Sequence, residues 1–193
     1  PFGETNGENY KSNNSFSKLG KSTYPGYSGT VFEPNDEYKG DFARTYFYIV
    51  TCYEEKIADW YTNNPESQPT LDGNTYPGLS QWQLEMLINW AANDPVSQKE
   101  TKRNQAVYGI QKNRNPFIDY PQLERFIWGD LKDQPFSYDN YSNIISTDIV
   151  INNNENHTSE TIYTLDGKQV NRLQKGINVL RSNNGNVRKV LRP

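Results

Sequence analysis

Asp94-Pro95-Val96-Ser97-Gln98-Lys99-Glu100, followed by Asn113-Arg114-Asn115-Pro116-Phe117, frames the stretch that decides how the middle of this chain folds. Pro95 disfavours helical backbone at Asp94, so a helix arriving from upstream stops near Asn93-Asp94. Ser97 with Glu100 three residues later reads as a capping box, which starts a new helix immediately. The spacing predicts that this helix turns Val107, Tyr108 and Ile110 inward and ends near Lys112. Asn113 to Phe117 then makes a tight, Pro-stiffened loop.

Upstream, Ser80 is placed to cap a helix carrying Trp82, Met86, Leu87 and Trp90. Further back, Phe42, Tyr46, Ile49, Val50 and Tyr53 recur at helical period, with Asn35 or Asp36 available as its cap. A long Pro/Gly/Asn loop, about 62–78, separates these two helices. Residues 1–35 read as loop, rich in Gly, Asn, Ser and Pro, with Tyr24-Pro25-Gly26-Tyr27-Ser28-Gly29 as a turn region. Downstream, Pro121 to Trp128 predicts a short closing helix.

Composition changes after about Ser146. Residues 147–160 are linker-like, and Ile151 to Glu160 is Asn-rich. Thr161–Leu165, Ile177–Arg181 and Val187–Leu191 flank turns at Asp166-Gly167 and Asn184-Gly185, which are strong hairpin signals. The expected fold class is therefore α+β. A largely helical domain over 1–146 is followed by the linker and by a small antiparallel β module over 161–193.

Hydrophobic residues make up 34% of the 193, but aromatics reach 13%, and large rings supply enough buried area for a core. No run of eighteen apolar residues exists, so no membrane span is expected. Cys52, the single cysteine, cannot form an internal disulfide. The net charge of −3 argues against a polyanion partner only as an average. Residues 1–146 hold 13 Lys+Arg against 19 Asp+Glu, a net −6, while residues 147–193 hold 7 against 4, a net +3. Locally, Lys99, Lys102, Arg103, Lys112 and Arg114 share one stretch with Glu100 as its lone acid, a candidate phosphate track.

Three segments in order resemble the bacterial endonuclease I family. The first is Pro1-Phe2-Gly3-Glu4 with Tyr24–Phe32 and Glu33-Pro34, and the second Tyr38-Lys39-Gly40-Asp41-Phe42-Ala43-Arg44 through Tyr53. The third runs from Trp90 through Asp94-Pro95-Val96, Glu100, Arg103-Asn104 and Gln111 to Asn113-Arg114-Asn115-Pro116-Phe117-Ile118-Asp119. The resemblance implies a ββα-metal nuclease fold, of which this chain supplies the C-terminal, helical lobe, hydrolysing phosphodiesters of DNA and/or RNA with little sequence preference. One divalent ion, usually Mg²⁺, polarises the phosphate in that scheme, a histidine deprotonates the attacking water, and an arginine neutralises developing charge.

The family's Glu-His pair and metal-binding Asn fall upstream of the Pro-Phe-Gly segment on which this chain opens. The expectation is that catalytic residues lie upstream of Pro1, the chain being a processed or truncated product inactive alone. The divalent cation then belongs to the parent enzyme, and none is held by this chain. The missing N-terminal segment, as a separate chain, is a candidate partner. His157, the sole histidine, lies in the linker and reads as a solvated loop residue. Cys52 stands where the family commonly shows Arg, which puts any contact of that arginine in doubt. The tail, through Thr164-Leu165-Asp166-Gly167-Lys168-Gln169-Val170 and Lys175-Gly176-Ile177, resembles the C-terminal sorting or attachment modules of exported proteins in Bacteroides-like bacteria. A secreted, periplasmic or cell-surface location follows as the expectation.

Several residues carry two readings. Arg114 either grips phosphate bidentately or braces the helix ends while Asn113 and Asn115 make turn bonds. Arg103 and Asn104 either line a nucleic-acid groove or make buried polar bridges between helices. Lys99, Lys102 and Lys112 form a phosphate track or a solvated face. Asp41 and Arg44 are spaced for an intrahelical ion pair, and Glu33 sits where a helix dipole favours a carboxylate; a metal role for Glu33 or Asp41 is the lesser reading. Tyr24, Tyr27 and Phe32 either stack on bases or fold back as lids. No zinc-type spacing and no phosphate-cradling Gly-rich loop is present. The alternative to an enzyme is a non-catalytic nucleic-acid- or protein-binding module of a secreted protein.

Overall fold

The computed structural model describes residues 1–12, 16–139, 141, 161–164, 168–170, 176–181 and 187–192. Backbone contacts divide it into two units, Pro1–Tyr138 and Asp139–Pro193. Among the described residues the first unit carries six α-helices: α1 Lys39–Cys52, α2 Ile57–Asn63, α3 Gln81–Asn93, α4 Gln98–Gln111, α5 Pro116–Asp119 and α6 Leu123–Ile127. It also carries three antiparallel strands, β1 Tyr10–Lys11, β2 Lys18–Lys21 and β3 Thr30–Glu33, in the order β1-β2-β3. The architecture is α+β.

The small sheet corrects the loop reading of residues 1–35. In β3 the inward positions are Val31 and Glu33, so half of the buried row is a carboxylate and the apolar alternation that marks a strand is missing. Glu33 is compensated by Lys18 and Lys39, both at 2.8 Å, and by the Thr5 backbone N–H at 2.8 Å. That environment holds its carboxyl below the ordinary carboxylate range, even though burial, the largest single influence, pushes upward.

Helix α1 forms where expected but turned about its axis. Its buried row is Gly40, Ala43, Arg44, Phe47 and Val50, while Ile49 and Tyr53 are exposed. Gly, Ala and Arg in the inward row hide it from a reading that tracks large apolar side chains. Asn35 and Asp36 do not cap it: Asn35 heads a 3-10 turn, Asp36–Tyr38, and makes no side-chain cap bond. Helix α3 buries Trp82, Met86, Leu87 and Trp90 as its periodicity requires. Ser80 holds the N-cap position, yet its hydroxyl donates to the Pro69 carbonyl at 2.8 Å instead of capping. These two helices, with Ile57 of α2, Leu71, Leu79 and Phe117 of α5, enclose the core. Phe47, Phe117 and Trp128 form a ring triangle, with centroids 5.4 Å (Phe47–Phe117), 5.3 Å (Phe47–Trp128) and 6.0 Å (Phe117–Trp128) apart.

Helix α4 starts on the capping box, Ser97 accepting from the Glu100 N–H and Glu100 from the Ser97 N–H. Its inward side overturns the apolar expectation. Ile110 is 84% exposed and Tyr108 42%, and the buried residues are Glu100 and Asn104. In this helix polar partners, not apolar area, set the face.

Among its described residues the second unit carries a four-stranded antiparallel sheet, β4 Thr161–Thr164, β5 Gln169–Val170, β6 Gly176–Arg181 and β7 Val187–Arg192, in the order β5-β4-β6-β7. Arg181 pairs with Val187 and Ile162 with Val170, so strands close on either side of both turn signals. The turn residues, the 147–160 linker and His157 lie outside the described residues. Among the described residues no helix is long and apolar enough to cross a membrane.

Candidate nucleic-acid groove

The seam between α1 and α4 is built on one buried cation. The Arg44 guanidinium lies flat against Glu100, Nε and Nη2 each 2.7 Å from a carboxylate oxygen, both residues less than 5% exposed. Its Nη1 donates to the Asp94 carbonyl at 2.8 Å. Asp41, read as the intrahelical partner, stands farther off, at 3.6 Å. Bidentate geometry recovers more of what desolvating two charges costs when further donors are also engaged, as Nη1 is here. Gly40 makes the approach feasible: a Cβ there would lie 2.1 Å from the Asp94 carbonyl oxygen.

One helical turn on, Asn104 accepts from the Asn115 N–H at 2.9 Å and donates to Asp119 at 3.1 Å. Asn115 caps α5 by accepting from the Phe117 N–H and donates to the Arg44 carbonyl. Arg114 closes its fork on Asp119, at 2.6 and 2.7 Å, and gives Nη1 to Gln105 at 2.7 Å. The Asp119 hydrogen bond is the chief cause that raises its pKa further. Its guanidinium also sits over the Tyr108 ring, 5.6 Å from the centroid. Asn113 donates to the Tyr48 hydroxyl at 2.7 Å, pinning the loop to α1.

Above this network the seam opens into a hollow of about 160 Å³, lined among others by Asp41, Arg103, Asn104, Gln111, Asn113 and Arg114. A second hollow of about 290 Å³ continues it past Tyr38 and Lys99, sharing Asp41, Thr45, Glu100 and Arg103. Four of the sequence candidates, Arg103, Asn104, Asn113 and Arg114, therefore meet in one groove. Lys112 does not join them; its ammonium donates to the Gly109 carbonyl at 2.8 Å, where the backbone is left-handed at φ 62°. Lys99 covers the Tyr38 ring at 4.1 Å. Arg103 is exposed and, among the described residues, has no hydrogen-bond or ion-pair partner.

The groove floor is acidic. Burial, then the charge and hydrogen bond of Glu100, push the Asp41 carboxyl from its ordinary 3.8 up to about 6. Burial likewise raises Asp94. Spacing alone had no means of showing the Arg44–Glu100 pair, whose members lie 56 residues apart. Tyr24 and Tyr27 fold back on α3, Tyr27 stacking on Trp82 at 4.7 Å and Tyr24 accepting from Asn89 at 3.2 Å. No group of three or more His, Cys, Asp or Glu among the described residues is placed to hold a metal ion.

Residues 1–122 match the family model described as Endonuclease I, and the chain belongs to that family. It is similar to an extracellular ribonuclease of Bacillus amyloliquefaciens, 40% identical over 116 residues, covering 56% of this chain and 38% of the relative. It is also similar to an extracellular ribonuclease of Bacillus subtilis (strain 168), 39% identical over 104 residues, covering 53% of this chain and 34% of that relative. The chain thus spans little more than a third of the length of these relatives. No solved structure matches.

Proposed function

We propose that the parent protein is an exported, metal-dependent endonuclease that hydrolyses phosphodiester bonds of DNA and/or RNA with little sequence preference. This chain contributes the groove that holds the strand. Family membership over residues 1–122 supports the reading, together with Arg103 standing open in a groove whose lining includes the amides Asn104, Gln111, Asn113 and Asn115. The relatives' names, extracellular ribonuclease, support both the export and the substrate class.

In this reading Arg103 meets the phosphate, because its fork is unengaged, while Arg114 stiffens the wall behind it. Asn113 and Gln111 offer further donors to sugar or phosphate oxygens. Among the described residues no group of three or more His, Cys, Asp or Glu is placed for the Mg²⁺ that the family implies; in this reading the ion is held by the rest of the parent protein, and no hydrolytic step is assigned to this chain. The β module serves sorting or attachment of the Bacteroides type, its resemblance in sequence being the support.

Binding of single-stranded RNA to the purified chain, followed across a salt series, tests the groove. The wild type binds with affinity falling as salt rises. Arg103→Ala weakens binding and lowers the salt slope by about one phosphate contact. An unchanged slope in that variant, or no binding by the wild type, would reject the groove as strand holder.

A further inference from the structure

Behind the α1–α4 seam lies a second, larger cavity of about 480 Å³. Its walls come from Ile88, Ala91 and Ala92 of α3, from Pro95 and Val96 after it, and from α6 with its flanking turns. Most of that wall is aliphatic. Into it faces Glu124, 4% exposed, whose carboxyl receives a hydrogen bond from its own backbone N–H and, among the described residues, from no other side chain. Burial pushes its pKa up, and Arg44 and Arg125 lower it through their fields alone.

Neither arginine is available to neutralise it. Arg44 is committed to Glu100 and the Asp94 carbonyl. Arg125 donates Nε and Nη2 to Asp130, at 2.9 and 2.5 Å, and Nη1 to Gln122 at 2.8 Å. Each cation of the lining already has a carboxylate of its own, so Glu124 is the acid in excess. A buried carboxyl whose hydrogen bond comes from its own backbone N–H, with no cation paired to it, is poorly compensated in the charged state, and interiors rarely keep one without a use. The space far exceeds the ~30 Å³ that one water occupies, and aliphatic walls give additional waters few partners.

The missing partner can be specified by chemistry. It must offer two donors to one carboxylate, carry positive charge, and follow that head with an apolar stem. An ammonium supplies the charge but is strongly hydrated and a poor match to two oxygens. A guanidinium is planar, weakly hydrated and bidentate toward carboxylates. We propose that this cavity is a binding site for a guanidinium group on a short aliphatic stem, held by the Glu124 carboxylate. The inference is independent of the nuclease reading, since it concerns a different cavity and a different ligand class.

Calorimetric titration of the purified chain with n-butylguanidinium, with n-butylurea as the neutral isostere, tests it. One saturable site for the cation, at least tenfold weaker for the urea, is expected. Glu124→Gln, which keeps the shape, loses at least tenfold in affinity for the cation. Ala92→Phe, which plugs the exposed rim without touching the carboxyl, abolishes binding and serves if the first variant does not fold. A parallel titration with an N-acetyl-arginine-amide peptide separates sources. Equal affinity there, lost in the same variants, marks an arginine side chain as the ligand; binding of butylguanidinium only marks a free small molecule. Equal binding of cation and urea, binding unaltered in Glu124→Gln or Ala92→Phe, or no saturable binding of the cation, would overturn the proposal.

Discussion

Toward α3, helix α1 presents Phe47 and Val50 to Met86, Leu87 and Trp90, all nearly or fully excluded from water. Toward α4 the same helix presents Arg44 to Glu100, and the backbone carbonyl of Arg44 to Asn115. One face is held by area, the other by donor–acceptor matching. Area is forgiving, since a side chain of similar volume repacks with modest loss. Matching is not, because each atom withdrawn leaves a buried partner unsatisfied. The polar face is also the one that opens into the groove, and a wall fixed by directional bonds keeps Arg103 and Asn113 in register.

The comparison breaks most sharply at Glu100. Glu100→Ala strips the buried Arg44 guanidinium of its bidentate carboxylate, leaving Asp41 at 3.6 Å, and removes the capping box, an expected loss of about 3–5 kcal/mol in urea denaturation. Replacing both partners together, Arg44→Met with Glu100→Leu, recovers most of that loss. On the apolar face Met86→Ala costs about 2–5 kcal/mol by cavity formation, and no second substitution across the interface restores it as fully.

A subtler contrast comes from pH. The folded-state pKa of Asp41 lies above its ordinary value, at about 6 against 3.8. A group so raised binds its proton more tightly when folded, so its stabilising contribution is complete below the unfolded value and is lost as pH rises through about 6. Relative to Asp41→Asn, the wild type therefore loses stability between the ordinary pKa of 3.8 and the folded value of about 6, read as the difference in urea midpoints. A constant difference across that window would contradict the environment described for the groove floor. The smallest effect is expected on the outside of α4, where Ile110→Ser changes stability by about 0.5 kcal/mol or less.

The same division explains what could be read from the sequence. Helices α3 and α4 were legible because Trp82, Met86, Leu87 and Trp90 repeat at helical period and because Ser97, Glu100 and Pro95 punctuate the chain. The α1 face was misjudged by the weight given to Ile49 and Tyr53, and the α4 face by the weight given to Tyr108 and Ile110. In both helices the row that packs contains Arg44, Glu100 or Asn104, residues whose burial depends on partners beyond their own helix, 56 positions apart for Arg44 and Glu100 and 11 and 15 for Asn104 with Asn115 and Asp119. Strand β3 escaped for a related reason, with Glu33 occupying an inward position. The candidates Arg103, Asn104, Asn113 and Arg114 were found because they cluster in sequence. Their division of labour, one fork open and one closed on Asp119, required the fold.

The central claim is that this chain holds the strand while the hydrolytic centre belongs to the rest of the parent protein. The purified chain incubated with supercoiled plasmid and single-stranded RNA in millimolar Mg²⁺ addresses it most directly. The account predicts retarded but intact nucleic acid, with EDTA making no difference, and cleavage that is abolished by EDTA for the full parent protein. Robust nicking by the isolated chain would contradict it.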